Sequence, residues 1–241
     1  DNAGVFGGLD KSLAMELSWA LSSLDDKGGP AVLSKWVNTT DAWKAQADQA
    51  YMIHLGWAFH ISGAAGKGMG QPAFAEVLAR LARDGKLHSD INYKDSGYMS
   101  WEWSMAVPLG SPETQQTLRN ELTDAQGNPR VGVAKILSWV YFYDRKLPEW
   151  RKYLDEQVAA ASGDTKALWL LAKAYAMVPL DQQHADWTAR PAPADLRAVS
   201  ALPTLNAALS AAQAPAVRVA VLKEFAAFYR RLEAPGDAVK L

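Results

Sequence analysis

Hydrophobic residues recur along this chain at spacings of three and four, which is the period of a helix with one buried face. The first such face begins at Leu9 and predicts a helix over about residues 9–24, which Gly28-Gly29-Pro30 is expected to end. A short segment over residues 30–37 follows. A second long helix is predicted to start at Thr39 or Thr40 and to run to Ile61.

Proline and glycine mark the next elements. Pro72 suits a first helical turn and Gly85 a C-terminal cap, so a helix is predicted over residues 72–83. The apolar and aromatic residues 98–107 are a further predicted helix. Ser111-Pro112-Glu113 combines a cap, a first-turn proline and an acid, and it predicts a helix that ends near Leu122.

The stretch from Val131 to Asp144 follows a turn signal and is strongly apolar. Its β-branched and aromatic residues could make part of it a strand on propensity alone. Its length of 14 residues and the spacing of Ala134, Leu137 and Tyr141 favour a buried helix instead.

A helical hairpin is predicted next, with helices over residues 147–161 and 165–178. Ser162-Gly163-Asp164 joins them and is short enough to make them antiparallel. Gly163 is expected to take a left-handed backbone angle. Asp164 is expected to cap the second helix by accepting a bond from a nearby backbone N–H.

The remaining residues predict a loop and two helices. The loop covers residues 179–193, and the helices cover about 194–212 and 215–232, with Pro203 expected to kink or split the first of them. No alternation of strand and helix interrupts the pattern. The sequence therefore predicts one all-α domain of stacked antiparallel helical hairpins over residues 1–241, and it allows a subdivision near residues 108–130.

The stretch from Trp150 to about residue 178 resembles a tetratricopeptide or Sel1-type helical repeat. It has a Gly-Asp turn between two helices, small alanines in the second helix, and Tyr175 closing the pair. Ile136, Leu137 and Tyr141 recur 34 residues later as Leu170, Leu171 and Tyr175. The resemblance implies an α-solenoid that binds partners on a concave face, with Tyr141, Tyr175 and Tyr229 facing one layer. A general stack of helical hairpins is the alternative.

The composition disfavours or excludes several kinds of partner and site for this chain. The formal net charge is −1, so the chain lacks the positive field that attracts nucleic acid, and no nucleic-acid partner is expected. There is no cysteine, which excludes thiolate nucleophiles, disulfides and cysteine-ligated zinc. No apolar run reaches the roughly 18–20 residues of a membrane span, so no transmembrane segment is predicted.

The first residues suggest a compartment. Residues 1–8 are small and polar, without a basic or apolar leader, as in an exported bacterial chain after removal of its signal peptide. We therefore expect a periplasmic or secreted protein. A trimmed chain would look the same.

Neither a metal site nor a phosphate site is predicted, and no cofactor is expected. His54 and His60 are six residues apart, which turns them about 240° from each other on a helix. His88 and His184 fall in predicted loops, and the sequence leaves open a metal site built from separate segments. The glycine-rich segment 63–70 follows a helix, and its Lys67 precedes Gly68, where a phosphate loop requires Ser or Thr.

Trp101-Glu102-Trp103 is the triplet that most suggests catalysis. A carboxyl group between indoles can have a raised pKa and act as a general acid, and indole faces stack on sugar rings. Asp90, Asp95 or Glu113 would supply a second carboxylate. The alternative function is therefore a small helical hydrolase that acts on a glycan with Glu102 as general acid.

The preferred function is a non-enzymatic scaffold that binds a protein partner, or a subunit of a larger extracytoplasmic assembly. The ten tryptophans are dispersed along the chain, which indicates packing between helices and not one ligand platform. Trp, Tyr and Arg are the usual anchors of protein interfaces. The predicted binding residues are Trp101, Trp103, Trp150, Arg151 and Tyr153.

Overall fold

The computed structural model describes Glu16, Ala20 and residues 29–61, 70–87, 105–177 and 196–231. The predicted helix over residues 9–24, apart from Glu16 and Ala20, lies outside them, as do residues 63–69 and the loop over 179–193. The described residues form ten α-helices and one 3-10 helix, without a strand. The prediction of an all-α fold is confirmed.

The helices are numbered in chain order. They are α1 (Gly29–Thr39), α2 (Ala42–Gln46), α3 (Gln49–Ile61), α4 (Pro72–Arg83), α5 (Pro112–Arg119), α6 (Val131–Tyr143), α7 (Leu147–Ala160), α8 (Gly163–Tyr175), α9 (Leu196–Ala211) and α10 (Pro215–Arg231). The 3-10 helix is Val107–Leu109. None of the described helices has the length and hydropathy that a bilayer crossing requires.

The chain divides into two compact units. The first comprises residues 1–88 and 93–122, and the second comprises residues 89–92 and 123–241. Helices α1 to α5 belong to the first unit and α6 to α10 to the second. A single domain over the whole chain stays a prediction.

In the first unit, two boundaries differ from the predicted ones. Gly29 and Pro30 begin α1 instead of serving only as a breaker. Proline is tolerated there because the N–H groups of a first turn have no partner within the helix, so its missing N–H costs no hydrogen bond. The predicted helix from Thr39 or Thr40 to Ile61 is interrupted where Ala47 takes an extended conformation. Asp48 Oδ1 then accepts a 2.8 Å bond from the Tyr51 N–H, which caps α3.

A buried glutamine joins three elements of the first unit. The side-chain oxygen Oε1 of Gln71 accepts bonds from Ser34 Oγ at 2.8 Å and from Asn38 Nδ2 at 2.7 Å, both on α1. The Gln71 N–H donates to the Pro108 carbonyl at 2.7 Å. The start of α4 is thereby held against α1 and the 3-10 helix.

The predicted ends of α4 and α5 are largely confirmed. Helix α4 keeps the predicted bounds, with Pro72 in its first turn and Gly85 at φ +66° after its end. Helix α5 opens with a capping box in which Ser111 and Thr114 bond each other's backbone N–H. It ends at Arg119, earlier than the predicted Leu122.

In the second unit, α6 is the central helix. Residues Val131–Tyr143 form a helix, so the strand alternative for this stretch is wrong, and every residue from Gly132 to Tyr141 is buried. A helix that is apolar on all sides is stable only when other elements surround it. Helices α7 and α8 pack against it, and α9 and α10 complete the unit.

The predicted hairpin of α7 and α8 is present, but one of its predicted bonds is wrong. Gly163 has φ +54°, and only Ala161 and Ser162 lie between the two helices. Asp164 falls inside the first turn of α8, too late to cap it. Its carboxylate instead accepts from the Gln213 N–H at 2.6 Å and the Ala214 N–H at 3.0 Å, immediately before α10.

Helix α9 runs unbroken through Pro203, so the predicted split does not occur. Its inner face shares a core with α8 and α10. The buried members of this core are Leu170, Leu171, Ala174, Tyr175, Ala201, Leu205, Ala208, Val221 and Phe225. Tyr141 and Tyr175 are both buried on their helices, and the side chain of Tyr229 lies outside the described residues. The placement of all three in one layer stays a prediction.

Candidate functional site

The predicted site residues fall into two groups. Trp101, Glu102 and Trp103 lie outside the described residues, as do His88, His184 and the side chain of His60. The other three predicted binding residues, Trp150, Arg151 and Tyr153, lie in the first two turns of α7. Glu113, a proposed second carboxylate, is exposed in the first turn of α5.

Trp150 is the centre of an aromatic stack in the second unit. Its indole lies between two nearly parallel rings, Tyr141 at 5.1 Å and Tyr153 at 5.4 Å between centroids. Its Nε1–H donates a 2.9 Å bond to Ser138 Oγ. Only 1% of Trp150 is exposed, so this residue supports the surface above it and does not itself face solvent.

Tyr153 forms the outer end of the stack. Its ring lies edge-on to Trp169 at 6.2 Å, and the residue is half-buried. We call Tyr141, Trp150, Tyr153 and Trp169 the aromatic stack. Because one face of Tyr153 is fixed by Trp150 and its edge by Trp169, little rotamer freedom remains for it to lose on contact with another molecule.

Four cations lie in the connection between α6 and α7 and in the second turn of α7. We call them the basic corner: Arg145, Lys146, Arg151 and Lys152. Arg151 is half-buried and the other three are exposed. None of their side chains forms a hydrogen bond or an ion pair with described residues. In contrast, five other lysine and arginine residues each pair with a carboxylate, namely Lys44, Arg83, Lys86, Lys135 and Lys173.

The backbone of the basic corner is strained. Arg145 has φ +59° and is the one non-glycine residue with positive φ in the described part of the chain. The Arg145 N–H donates to the Phe142 carbonyl at 3.0 Å and the Lys146 N–H to the Tyr141 carbonyl at 2.8 Å. Helices that end with these two bonds usually have glycine at the position of Arg145. Gly85 occupies the corresponding position after α4.

A buried ion pair lies in the second unit, and the sequence did not reveal it. Lys135 Nζ on α6 is 3.3 and 3.4 Å from the carboxylate oxygens of Glu224 on α10. The same ammonium lies 3.7 Å from the ring centroid of Tyr175 on α8. Each charged residue is 3% exposed. A lysine within the apolar run of residues 131–143 was the available signal, since a buried lysine requires a partner.

The ion pair fits a structural role. Glu224 and Tyr175 both stabilise the ammonium, one by charge and one by the electrons of the ring face. Three helices meet at this one group. Both charged side chains are only 4% exposed, so in this conformation the pair joins helices and is not open to a substrate.

The first unit contains a second aromatic cluster. Trp43 lies 6.2 Å from Trp36 and stacks on Tyr51 at 6.1 Å, and its Nε1–H donates to the Val37 carbonyl at 3.1 Å. The hydroxyl of Tyr51 is buried without a hydrogen-bond partner among the described residues. Burial raises the pKa of Tyr51 to about 12. These rings pack the interior of the unit.

The described residues contain no group of three or more His, Asp or Glu side chains placed to hold a metal ion. Comparison of the chain with protein-family models, with curated proteins and with solved structures gives no match.

Proposed function

We propose that the chain is a non-enzymatic helical scaffold that binds a protein partner, as a subunit of a larger extracytoplasmic assembly. Two features support this. The helices of the second unit follow one another through short links at α7–α8 and α9–α10, as tetratricopeptide-like arrays do. Asp164, in the first turn of α8, accepts bonds from Gln213 and Ala214 in the α9–α10 link, which joins successive hairpins into one support.

The observation that carries the proposal is the position of Tyr153 and Arg151. Tyr153 is held by Trp150 and Trp169 and is still partly exposed, and Arg151 and Lys152 directly precede it in α7. Tyrosine and arginine are among the residue types that contribute most binding energy at protein interfaces. A ring that is already immobilised loses less entropy on binding than a mobile one, which favours affinity.

A photo-crosslinking experiment tests this proposal. A benzophenone amino acid replaces exposed Lys152 beside Tyr153, and in a matched control it replaces exposed Lys35 on α1. Each variant is irradiated in an extract of the cells that make the protein. We expect a discrete crosslinked species from position 152 that is absent from position 35. Adding Arg151→Glu to the position-152 variant should reduce its yield by at least about tenfold, the effect of 1.4 kcal/mol.

The result also separates the scaffold from the hydrolase. Equal crosslinking from both positions, unaffected by Arg151→Glu, would contradict the scaffold. The hydrolase requires that the purified chain release reducing ends from a glycan and that Glu102→Gln abolish this release. Glycan turnover that is lost in Glu102→Gln, without specific crosslinking, would replace the scaffold by the hydrolase.

A further inference from the structure

Within residues 145–152 the basic corner sets four cations against one carboxylate, that of Glu149. Arg145, Lys146, Arg151 and Lys152 occur within eight residues, in a chain of formal net charge −1. From Lys146, which precedes α7, to Lys152 the helix rises only about 9 Å. This rise is close to the Debye length of roughly 8 Å at physiological salt, so the fields of cations at its two ends are only partly screened from each other.

Two of these cations occupy positions that favour other residue types. Arg145 stands at positive φ, where glycine carries no steric penalty and a side chain does. Lys146 is the N-cap of α7, where Ser, Thr, Asp or Asn would bond a free backbone N–H, and it makes no such bond. The local backbone therefore explains neither the arginine nor the lysine.

We propose that the basic corner binds an acidic segment of a protein partner. This inference rests on the proposed function and names the chemistry of the partner. The corner has no carboxylate partner of its own among the described residues, so an incoming carboxylate displaces no internal ion pair. Arg145, Lys146 and Lys152 are exposed and available, and Arg presents a planar fork that matches a carboxylate.

The surroundings of the corner favour a protein over nucleic acid or an anionic membrane. Glu149 lies among the cations and Asp144 directly precedes them, so the corner is not the long, continuous basic surface that is typical of nucleic-acid binding. Tyr143, 38% exposed, and the half-buried Tyr153 flank the corner in sequence. Aromatic residues next to arginine are typical of protein interfaces.

The test uses substitutions that remove charge while improving the local backbone. Arg145→Gly supplies the residue that the positive φ favours, and Lys146→Ser supplies a better N-cap. The matched control is Lys35→Ala/Lys166→Ala, which removes two other cations whose side chains have no ion pair with described residues. The probe is a fluorescein-labelled glutamate-rich peptide that contains one tryptophan, followed by fluorescence anisotropy.

We expect the Arg145→Gly/Lys146→Ser variant to melt at a higher temperature than the wild type and yet to bind the peptide roughly five- to twentyfold more weakly. The control should bind within about twofold of wild type, the spread of a near-neutral surface change. Raising the salt from roughly 0.05 to 0.3 M should weaken wild-type binding, because the Debye length shortens. If Arg145 and Lys146 had a purely structural role, the double variant would change in melting temperature but would bind the peptide as the wild type does.

Unchanged peptide binding by the double variant would overturn the proposal. So would tighter binding to vesicles of anionic phospholipid, or to a single-stranded oligonucleotide, than to the peptide. These results are distinguishable from failure of the scaffold. If the position-152 crosslink persists in the Arg145→Gly/Lys146→Ser variant at wild-type yield, the acidic-segment proposal fails and the scaffold stands. If position 152 gives no specific crosslink, the scaffold itself fails.

Discussion

The buried pair of Lys135 and Glu224 makes a sharp prediction, because breaking it and replacing it should have opposite consequences. Glu224→Met leaves the ammonium of Lys135 in the interior without its carboxylate. Loss of one partner of a buried pair costs roughly 3–5 kcal/mol of unfolding free energy. The face of Tyr175, 3.7 Å away, returns part of this, up to about 2 kcal/mol for a desolvated cation. We therefore expect Glu224→Met to destabilise by roughly 1–5 kcal/mol.

Replacement of both charges should remove most of that loss. Lys135→Met/Glu224→Met fills the same space with two flexible apolar side chains and leaves no buried charge. Well-packed apolar replacements of buried pairs range from neutral to about 1–4 kcal/mol stabilising. The double variant should therefore be much more stable than either single variant. In a double-mutant cycle this appears as a coupling energy of at least about 2 kcal/mol.

A surface pair in the same unit provides the control. Lys173 and Asp155 approach to 2.6 Å, closer than the buried pair, but their side chains are 31% and 55% exposed. Water screens them, so the corresponding cycle should give about 0.2–1 kcal/mol. The pair with the shorter distance is thus expected to have the smaller coupling energy. The cost of removing one partner is set by how deeply the remaining charge is buried, and not by the distance between the two.

The assay is urea unfolding followed by far-ultraviolet circular dichroism, with linear extrapolation to water. An unchanged slope with urea indicates that a variant changes stability and not compactness. The reasoning is refuted if Glu224→Met costs less than about 1 kcal/mol, the size of a surface effect. It is also refuted if the double variant loses the sum of the two single losses.

Three further outcomes follow from named residues. Gly163→Val should destabilise by roughly 1–2 kcal/mol because of the φ of +54° alone, since an added Cβ would come no closer than 3.7 Å to another atom, Gln213 Oε1. Gly163→Asn should lose less stability, because Asn tolerates a left-handed backbone better than Val. Equal losses of the two variants in thermal melting would contradict this. Asp164→Ala should cost about 1–2 kcal/mol of stability, because the Gln213 and Ala214 N–H groups before α10 lose their acceptor. Asp164→Asn keeps an acceptor oxygen and should be closer to wild type in urea unfolding. Burial raises the pKa of Tyr51 from 10.0 to about 12, so the unfolded state loses this proton first and stability should fall as pH rises through that window. Tyr51→Phe should remove this part of the pH dependence, and an unchanged profile would show that Tyr51 does not cause it.

Features that depend on neighbours within a few residues could be predicted from the sequence. Helix α4 has its predicted bounds because Pro72 and Gly85 act on the backbone locally. The capping box at Ser111 and the left-handed turn at Gly163 are of the same kind. The break at Ala47 is local as well, but it was missed because the apolar periodicity continues through it and hides the cap at Asp48.

Features that join distant residues were decided only by the tertiary structure. Lys135 and Glu224 are 89 positions apart, and no pattern within either helix identifies the other. Asp164 bonds residues about 50 positions away, although its place after a Gly turn suggested a local cap. Trp150 was expected to contact a partner and is instead enclosed by Tyr141 and Tyr153. Periodicity shows which face of a helix is buried, whereas the packing of helices decides which residue meets which.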